Sequence, residues 1–202
     1  MIRLHCTLTS TFSRRVRIAL LEKGIEHELT IVDIGSGENK SPRYLTMNPY
    51  GRVPTLEHDD FILYESSAIL GYLEALKPQP ALFPSDIRAR ALVDMHIKLC
   101  DVELTRYVGA IIFPKRFLPS ERWDVKAFEQ ARAPIERHLA ILGRDLGDRE
   151  FLVGGGFTAA DLVYMPHLHF LPLMEIEVAS NVQAWVGRLL ARPSAVATVA
   201  ER

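Results

Sequence analysis

Residues 2–34 read IRLHCTLTSTFSRRVRIALLEKGIEHELTIVDI, and their apolar pattern changes twice. Apolar and polar side chains alternate from Ile2 to Leu8, and this period of two predicts a half-buried strand. The period then becomes helical, and Gly24 is suited to end that helix. Alternation with β-branched residues returns from His27 to Ile34, which predicts a second strand. Two strands joined through a helix form a βαβ unit, which requires a parallel strand pair.

The next segment completes a small α+β domain. A polar loop is expected from Gly35 to Ser41. Short strands are predicted at Val53–Leu56 and Phe61–Tyr64, on either side of a hairpin loop at residues 57–60. A helix is predicted from Ser66 to Leu76. The apolar stripe of that helix consists of Ala68, Ile69, Tyr72, Leu73 and Leu76. The order is therefore βαβ, loop, ββα, around a mixed sheet.

The second half of the chain has a different pattern. Residues 77–85, KPQPALFPS, contain three prolines, so a helix cannot continue through them. Beyond this stretch, helical periodicity replaces the strand pattern in long segments that begin near Asp86, Trp123, Thr158 and Val178. We therefore predict an α+β domain at residues 1–77, a linker at 78–85 and an all-helical domain at 86–202.

Composition and charge narrow the classes of function. The chain has 202 residues, of which 48% are apolar and 24% charged, as in a globular protein with more than one core. Its formal net charge of −1 disfavours a nucleic-acid-binding or membrane-surface protein. No apolar run approaches the ~20 residues of a membrane span, and the opening MIRLHCTLTS lacks a secretory signal, so we expect a cytoplasmic protein. The two cysteines, Cys6 and Cys100, are expected to be reduced thiols.

The order and spacing of several motifs carry a resemblance to a known family. A serine-containing turn and the helical run RRVRIALLEKG are followed by NPYGRVPTL, by YESSAILGYLE, and then by the proline-rich linker and the helices. This order resembles the cytosolic glutathione S-transferase family along nearly the whole chain. The stretches STFSRRV and NKSPRYLTMNPYGRVP are most similar to the serine-type phi class, in a bacterial-like member, and more loosely to the zeta class.

The resemblance implies both a fold and an activity. The first domain would be a thioredoxin-like domain that holds glutathione, and the helical domain would complete the pocket for a second substrate. The implied reaction joins the enzyme-activated thiolate of glutathione to a small hydrophobic electrophile, as in detoxification. Aligning thiolate and electrophile removes much of the entropic cost of a reaction between two molecules. Glutathione is the expected cosubstrate, and no metal is expected.

Ser10 stands where the first strand gives way to the first helix, the position of the family's catalytic serine. Seen alone, a serine there is more often a helix cap, because its hydroxyl accepts a hydrogen bond from a free backbone N–H. The spacing to Arg14 and to Ala19 matches the phi pattern and favours catalysis. A hydroxyl donor near the positive end of a helix stabilises a thiolate and lowers the pKa of the thiol. Thr11 and Ser13 are the alternative donors.

Two further motifs are expected to bind the glutathione peptide. In thioredoxin-like folds the peptide bond before the proline at the position of Pro54 is cis, and the backbone of the preceding residue, here Val53, pairs with the ligand as a strand would. Glu65 and Ser66 lie at the start of the predicted helix, whose free N–H groups suit the α-carboxylate of the γ-glutamyl end. Glu65 can also pair with the ammonium group of that end. In isolation these motifs would be a proline at a strand start and a helix cap with an acidic neighbour.

Lys40 and Arg52 are the expected partners of the glycyl carboxylate of glutathione. Lys40 resembles the family lysine at this place, and Arg52 is expected to assist it. The chain departs from the phi pattern here, since Asn39 replaces a frequent histidine and Arg52 replaces a glutamine or lysine. A solvated loop charge is the alternative interpretation of Lys40.

The pocket for the second substrate is expected to draw apolar side chains from both domains. The predicted lining residues are Leu8, Phe12, Tyr107, Ile111, Phe113 and Phe117. The family also implies a homodimer that pairs through the helices next to the linker. Tyr64 and the Arg88–Arg90 region offer aromatic and basic contacts for it.

Several other residues are predicted to be structural. Thr158 and Asp161 form a capping-box pattern that starts a buried helix. Cys6 falls on the apolar face of the first strand and has no C-x-x-C partner, so we predict a core residue and not a nucleophile. His167 and His169 are too loosely spaced to predict a metal site with Asp161.

Three arginines cluster on the first predicted helix, at Arg14, Arg15 and Arg17. Such a cluster could bind phosphate or nucleic acid, but it is more often a solvated helix face with internal ion pairs. We therefore expect these three side chains to lie in solvent.

Two other functions compete with the transferase. The run SRRVRIALLEKGI suggests an isomerase of the maleylacetoacetate type, but that family carries Ser-Ser-Cys after the strand, where this chain has Ser10, Thr11 and Phe12. A non-catalytic interaction protein with the transferase fold, similar to the stringent starvation protein that binds RNA polymerase, would be expected to lose its glutathione-site residues. This chain keeps Ser10, Lys40, Val53, Pro54, Glu65 and Ser66.

Overall fold

The structure is a computed structural model, and it describes residues 1–199. Its first part alternates strands and helices in the predicted order. The elements are β1 (Ile2–Cys6), α1 (Thr11–Glu22), β2 (Glu28–Ile31), α2 (Pro42–Met47), β3 (Thr55–His58), β4 (Phe61–Tyr64) and α3 (Ser66–Leu76). A 3-10 turn at Glu38–Lys40 precedes α2.

The four strands form one mixed sheet in the order β2-β1-β3-β4. β1 is parallel to β2, with Leu4 opposite Leu29, and antiparallel to β3, with Leu4 opposite Leu56. β3 and β4 form an antiparallel hairpin. The predicted βαβ-ββα order and the mixed sheet are therefore confirmed.

Strand boundaries differ from the prediction. β1 ends at Cys6 instead of Leu8, and β2 ends at Ile31, three residues before the predicted end at Ile34. β3 begins at Thr55, after Pro54, and continues through His58, so the connection to β4 is shorter than predicted. Proline cannot donate a hydrogen bond to a neighbouring strand, which accounts for the later start of β3.

Helix α2 was not predicted and lies directly after the predicted polar loop. The side chain of Ser41 accepts a hydrogen bond from the backbone N–H of Tyr44, at 3.2 Å, and Pro42 occupies the first turn. A serine cap followed by proline is a recognised start signal for a helix. The helix is short, which is why apolar periodicity did not reveal it.

The buried face of α3 is shifted from the predicted stripe. The buried residues of this helix are Ser66, Ile69, Leu70 and Leu73. Ile69 and Leu73 belong to the predicted stripe, whereas Ala68 and Leu76 are exposed and Tyr72 is partly exposed. The helix has more apolar residues than one face can hold, so its sequence permits two neighbouring stripes.

The three arginines of α1 are buried, and the predicted solvated face is wrong. Arg14 and Arg17 donate hydrogen bonds to backbone carbonyls within residues 195–198, and Arg15 donates to the hydroxyl of Ser66. The partners of Arg14 lie 181 positions or more further along the chain. The periodicity of a helix carries no information about such distant partners.

Beyond α3, the described part of the chain is helical, as predicted. Its helices are α4 (Ile87–Leu99), α5 (Arg106–Phe117), α6 (Val125–Leu146), α7 (Ala159–Leu162), α8 (Met165–Leu168), α9 (Leu171–Met174), α10 (Ser180–Leu190) and α11 (Pro193–Ala197). A π-helical turn at Cys100–Thr105 joins α4 to α5, and a 3-10 turn at Ser120–Arg122 follows α5. Within residues 1–199, none of these helices combines the length and the apolar character needed to cross a membrane.

The predicted capping box at the start of α7 is confirmed, and Asp161 is its centre. The backbone N–H and the hydroxyl of Thr158 both donate to this carboxylate. Asp161 also accepts from the backbone N–H of Leu152 and from the indole N–H of Trp185, each at 2.9 Å. Burial raises the pKa of Asp161, while these hydrogen bonds act in the opposite direction. Every partner is a donor, which favours the carboxylate form.

Contacts within the chain define two compact units. One contains residues 1–82 together with the segment from Arg192, and the other contains Phe83–Ala191. The segment from Arg192 had been assigned to the helical domain, but α11 packs against α1. The predicted limits at residues 77 and 86 stay a prediction.

Candidate active site

A small cavity in the first unit brings together most of the residues predicted to bind glutathione. Its volume is about 60 Å³. The lining residues are Phe12, Asn48, Arg52, Val53, Pro54, Glu65 and Ser66. Larger cavities of about 480 Å³ and 260 Å³ lie within the second unit and contain none of these residues. The convergence of the predicted residues, and not cavity volume, therefore identifies the candidate site.

The segment around Val53 and Pro54 is anchored on both sides by two buried side chains. The peptide bond between Val53 and Pro54 is cis, as predicted. The hydroxyl of Tyr44 donates to the carbonyl of Arg52, at 2.8 Å, and lies 3.0 Å from the hydroxyl of Thr55. The two residues that flank Val53 and Pro54 are thus tied to α2.

Asn48 makes a second set of bonds to the same segment. Its side-chain amide lies 2.9 Å from the carbonyl of Arg52 and 3.2 Å from the hydroxyl of Thr55. Sequence reasoning missed both Tyr44 and Asn48. The cap formed by Ser41 and the following proline could have predicted α2, and with it an inward-facing residue one turn later.

Glu65 has an unusual backbone conformation at the entrance to α3. Its φ is +71° and its ψ is 110°, a region that is costly for a residue other than glycine and is often found at functional sites. Its side chain is exposed, and its carbonyl accepts the N–H of Ile69. A carboxylate therefore stands beside the helix N-terminus, whose first N–H groups lack partners within the helix. This arrangement suits a ligand end that carries both an ammonium group and a carboxylate.

Arg15 lies behind the start of α3 and was not predicted to belong to the site. Its guanidinium donates to the Ser66 hydroxyl, at 3.4 Å, and lies 5.1 Å from the ring centroid of Phe12. The side chain is fully buried. It adds positive charge to a helix N-terminus that already favours anions. The link to Ser66 could not be predicted because the two residues are 51 positions apart.

Ser10 is the N-cap of α1, and its hydroxyl retains a hydrogen to donate. Its side chain accepts from the backbone N–H of Ser13, at 3.2 Å, and is partly exposed. A hydroxyl accepts through a lone pair, so the cap leaves its hydrogen available for a ligand. The Ser13 hydroxyl is itself buried, which disfavours Ser13 as the donor. Thr11, the first residue of the helix, is partly exposed.

Lys40 is positioned at the point where residues 39–40 lie close to residues 50–51. Its ammonium group donates to the carbonyl of Tyr50, at 3.1 Å, and its side chain is exposed. The amide of Asn39 donates to the carbonyl of Gly51, at 2.7 Å. Gly51 has a φ of +58°, and a Cβ atom there would lie 2.7 Å from both the carbonyl oxygen of Asn39 and the Nζ atom of Lys40. Only glycine fits this crossing, which places Lys40 beside the segment that leads to Arg52.

The residues predicted for the second substrate differ in exposure. Leu8 and Phe12 are exposed near the start of α1. In the second unit, Tyr107 is partly exposed, whereas Phe113 and Phe117 are exposed and stack with ring centroids 5.3 Å apart. Ile111 is only 1% exposed and belongs to the core of its own unit.

The residues with predicted structural roles are also accounted for. Cys6 is buried in β1, and burial raises the pKa of its thiol, which favours the neutral form over a nucleophilic thiolate. His167 is buried and lies 3.0 Å from the Thr105 hydroxyl, and His169 lines the cavity of about 480 Å³. Within residues 1–199, no group of three or more His, Cys, Asp or Glu side chains is arranged to hold a metal ion.

Comparison with known proteins gives matches over both halves of the chain. Residues 9–76 match the family model described as glutathione S-transferase, N-terminal domain, and residues 125–188 match the model described as glutathione S-transferase, C-terminal domain. A glutathione S-transferase of Silene vulgaris is 31% identical, over 98% of this chain and 97% of that protein. Glutathione S-transferase F12 of Arabidopsis thaliana is 30% identical, over 96% of this chain and 94% of that protein.

Solved structures give the same result. The crystal structure of glutathione transferase F2 from Populus trichocarpa has a TM-score of 0.89 and 27% identity, over 98% of this chain and 97% of that one. The theta class glutathione S-transferase from Xanthomonas axonopodis pv. citri, solved with glutathione bound, has a TM-score of 0.91 and 27% identity. It covers 100% of this chain, and 98% of its own length is matched. Sequence matches and fold agree along nearly the whole length, and the chain belongs to the glutathione S-transferase family.

Proposed function

We propose that this transferase conjugates glutathione to a small hydrophobic electrophile and that Ser10 activates the glutathione thiol. Membership of the family supports the transferase activity. The observation that carries the role of Ser10 is its position as a partly exposed cap that retains a donor hydrogen at the N-terminus of α1. That hydrogen and the positive end of the helix both favour an anion.

The proposed chemistry is a nucleophilic attack by sulfur. A cysteine thiol titrates near ~8.5, so at neutral pH only a minor fraction is thiolate unless its surroundings stabilise the anion. The hydroxyl of Ser10 donates to the bound sulfur, the thiol proton passes to solvent, and the sulfur forms a bond to the electrophilic carbon. A leaving group departs in a substitution, and a proton is taken up in an addition. This mechanism uses glutathione as cosubstrate and requires no metal.

The remaining site residues hold the glutathione peptide. We assign the backbone of Val53 to the cysteinyl part of the ligand, in the manner of an added strand. We assign Glu65 to the ammonium group, and Ser66 with the first N–H groups of α3 to the α-carboxylate. Arg15, behind Ser66, supports that anion site.

Lys40 and Arg52 are the proposed partners of the glycyl carboxylate. Lys40 reaches the segment before Arg52 through its bond to the Tyr50 carbonyl, and Arg52 lines the candidate cavity. The assignment is supported by the exposure of both side chains, since cations that meet a ligand carboxylate must be accessible to it.

The electrophile is proposed to contact exposed apolar side chains. Leu8, Phe12, Tyr107, Phe113 and Phe117 remain candidates for this contact, whereas Ile111 is buried in its own unit. We also propose a homodimer, with Tyr64 and the Arg88–Arg90 region at the interface, and a cytoplasmic detoxification role. Cys6 and Cys100 are buried and form no disulfide, which is compatible with a reducing compartment.

An activity panel and a glutathione-affinity column test this proposal. We expect the chain to bind the column and to conjugate glutathione to at least one of an aryl halide, an epoxide and an isothiocyanate. Reduction of peroxides or isomerisation of maleylacetoacetate without conjugation would replace the transferase with another glutathione-dependent enzyme. Clean flow-through from the column would instead favour the non-catalytic interaction protein.

A further inference from the structure

The segment from Arg192 to Thr198 holds α1 near both of its ends. Near the first end, Arg14 donates through Nη2 to the carbonyl of Ala195, at 3.1 Å, and through Nε to the hydroxyl of Thr198, at 3.3 Å. Arg17, one turn later, donates to the carbonyl of Thr198, at 3.3 Å. Both guanidinium groups are buried, so these contacts lie within the packed interior of the first unit.

The other end of α1 is held through Glu22. Arg192 donates to the two carboxylate oxygens of Glu22, at 2.8 Å and 2.7 Å, and the Ser194 hydroxyl donates to the same carboxylate. Burial by itself would raise the pKa of Glu22, but the hydrogen bonds from Arg192 and Ser194 and the charge of Arg192 outweigh it and lower the pKa. This end is a bidentate ion pair, and it lies three turns away from Ser10.

Arg14 connects the segment from Arg192 to Thr198 to Ser10, the N-cap of α1. Its backbone N–H donates to the carbonyl of Ser10, at 2.9 Å, and so closes the first turn of α1. The side chain of the same residue is bound to Ala195 and Thr198. Arg14 therefore couples the position of the Ser10 backbone to the segment from Arg192 to Thr198.

We propose that Arg14 is a positioning residue, which fixes the orientation of the Ser10 hydroxyl because the segment around Ala195 and Thr198 holds its guanidinium. This inference rests on the proposed role of Ser10. A guanidinium is a planar fork with donors in fixed directions, whereas a lysine ammonium is a flexible point charge. Two acceptors at defined places can thus orient an arginine but not a lysine, and the shape of Arg14 matters in addition to its charge.

The test follows the ultraviolet absorbance of glutathione thiolate against pH in the bound complex. The variants are Arg14→Lys, Thr198→Val and Arg192→Met, each compared with the wild type. We expect the first two to raise the pKa of the bound thiol by about half a unit or more, because the hydroxyl no longer points steadily at the sulfur. Activity below that pKa should fall about threefold, with little change in KM for glutathione.

Arg192→Met is the matched control, because it loosens the same segment at the far end of α1. It should lower the melting temperature and leave the thiol pKa at the wild-type value. If the pKa of the bound thiol in Arg14→Lys equals the wild-type value, the proposal is overturned, and charge alone matters at this position. An equal shift in all three variants would also overturn it, since the effect would then be general loosening.

Thr198→Val and Ser10→Ala give two further tests of the positioning role of Arg14. If Arg14→Lys does not fold, Thr198→Val decides alone, because it keeps Arg14 and removes one acceptor; an unchanged thiol pKa in that variant overturns the inference. Ser10→Ala separates this inference from the proposed function. A wild-type thiol pKa in Ser10→Ala would refute the role of Ser10 itself, whereas a raised pKa there with none in the Arg14 and Thr198 variants would refute only the positioning role.

Discussion

Helices α1 and α7 each begin with a hydroxyl cap, and these two caps differ in how many of their hydrogen-bonding groups are already paired within the protein. At the start of α7, Thr158 and Asp161 close a complete capping box, and Asp161 also accepts from the indole of Trp185. At the start of α1, Ser10 accepts one hydrogen bond, and the residue three positions later is Ser13 instead of an acid. The first cap is buried and the second is partly exposed.

The comparison shows how one local motif serves two purposes. A buried cap must satisfy every polar atom internally, because an unpaired buried group costs about 1–3 kcal/mol. A partly exposed cap can use water as a partner in the free protein and exchange it for a ligand. Burial and the residue at the third helical position, more than the cap residue, therefore separate a folding motif from a candidate catalytic one.

The largest effect is expected from Asp161→Ala. This change leaves the donors from Leu152, Thr158 and Trp185 buried without their acceptor, so the free energy of unfolding should fall by about 3 kcal/mol or more. Chemical denaturation measures it. A loss below about 1 kcal/mol would show that the donors of Leu152, Thr158 and Trp185 do not depend on the Asp161 carboxylate.

A smaller loss of stability, with a loss of function, is expected from Ser10→Ala. The cap is worth about 1 kcal/mol, and the hydrogen bond to the thiolate about 1.5–3 kcal/mol, so the pKa of bound glutathione should rise by about one to two units. Thiolate absorbance against pH measures it, and Ser13→Ala is the control with a buried hydroxyl. Identical titration curves for Ser10→Ala and the wild type would transfer the role to Thr11 or to the helix alone.

Gly51→Ala is expected to disturb the site through Lys40. The added methyl group would lie 2.7 Å from the Asn39 carbonyl oxygen and from the Lys40 ammonium group, at a φ that disfavours other residues. We expect KM for glutathione to rise by about tenfold, with a smaller change in kcat. An unchanged KM would place the glycyl end of glutathione away from Lys40. Gly37→Ala, at an open position with similar φ, controls for backbone strain.

The smallest effect is expected from a lower pH, which should reduce the stability of the second unit. Burial lowers the pKa of His96 and of His138, so both imidazoles are neutral in the folded protein. Because their folded pKa values lie below the unfolded value of about 6.5, their contribution is complete above that pH and is lost as pH falls toward the folded values. The free energy of unfolding should therefore decrease as the pH is lowered from 7 to 5.

The matched variant for the acid prediction is His138→Phe. It keeps a ring stacked on Tyr164, at 5.8 Å between centroids, and removes one titrating group. The decrease in unfolding free energy between pH 7 and 5 should be smaller in this variant. An equal decrease in wild type and variant would assign the acid sensitivity to other groups.

The candidate site illustrates how far sequence reasoning reached. The helix start at Ser66 and the strand-to-helix turn at Ser10 were predicted because each depends on neighbours within a few residues. The cis peptide bond at Pro54 was predicted from the family resemblance. Tyr44 and Asn48, which anchor the segment of Pro54, were missed. Their importance depends on hydrogen bonds to residues 52–55, and a sequence pattern does not encode these bonds.

Periodicity, proline and cap chemistry act over one or two turns of chain, and they were enough to predict the four strands, most of the helices and the capping box at Thr158. The order and spacing of the motifs were enough to predict the family. The environment of the charged side chains on α1 depended instead on the tertiary structure. Arg14 and Arg17 were expected in solvent and are buried, because a guanidinium can enter the interior once carbonyls brought from 181 positions away accept its hydrogen bonds.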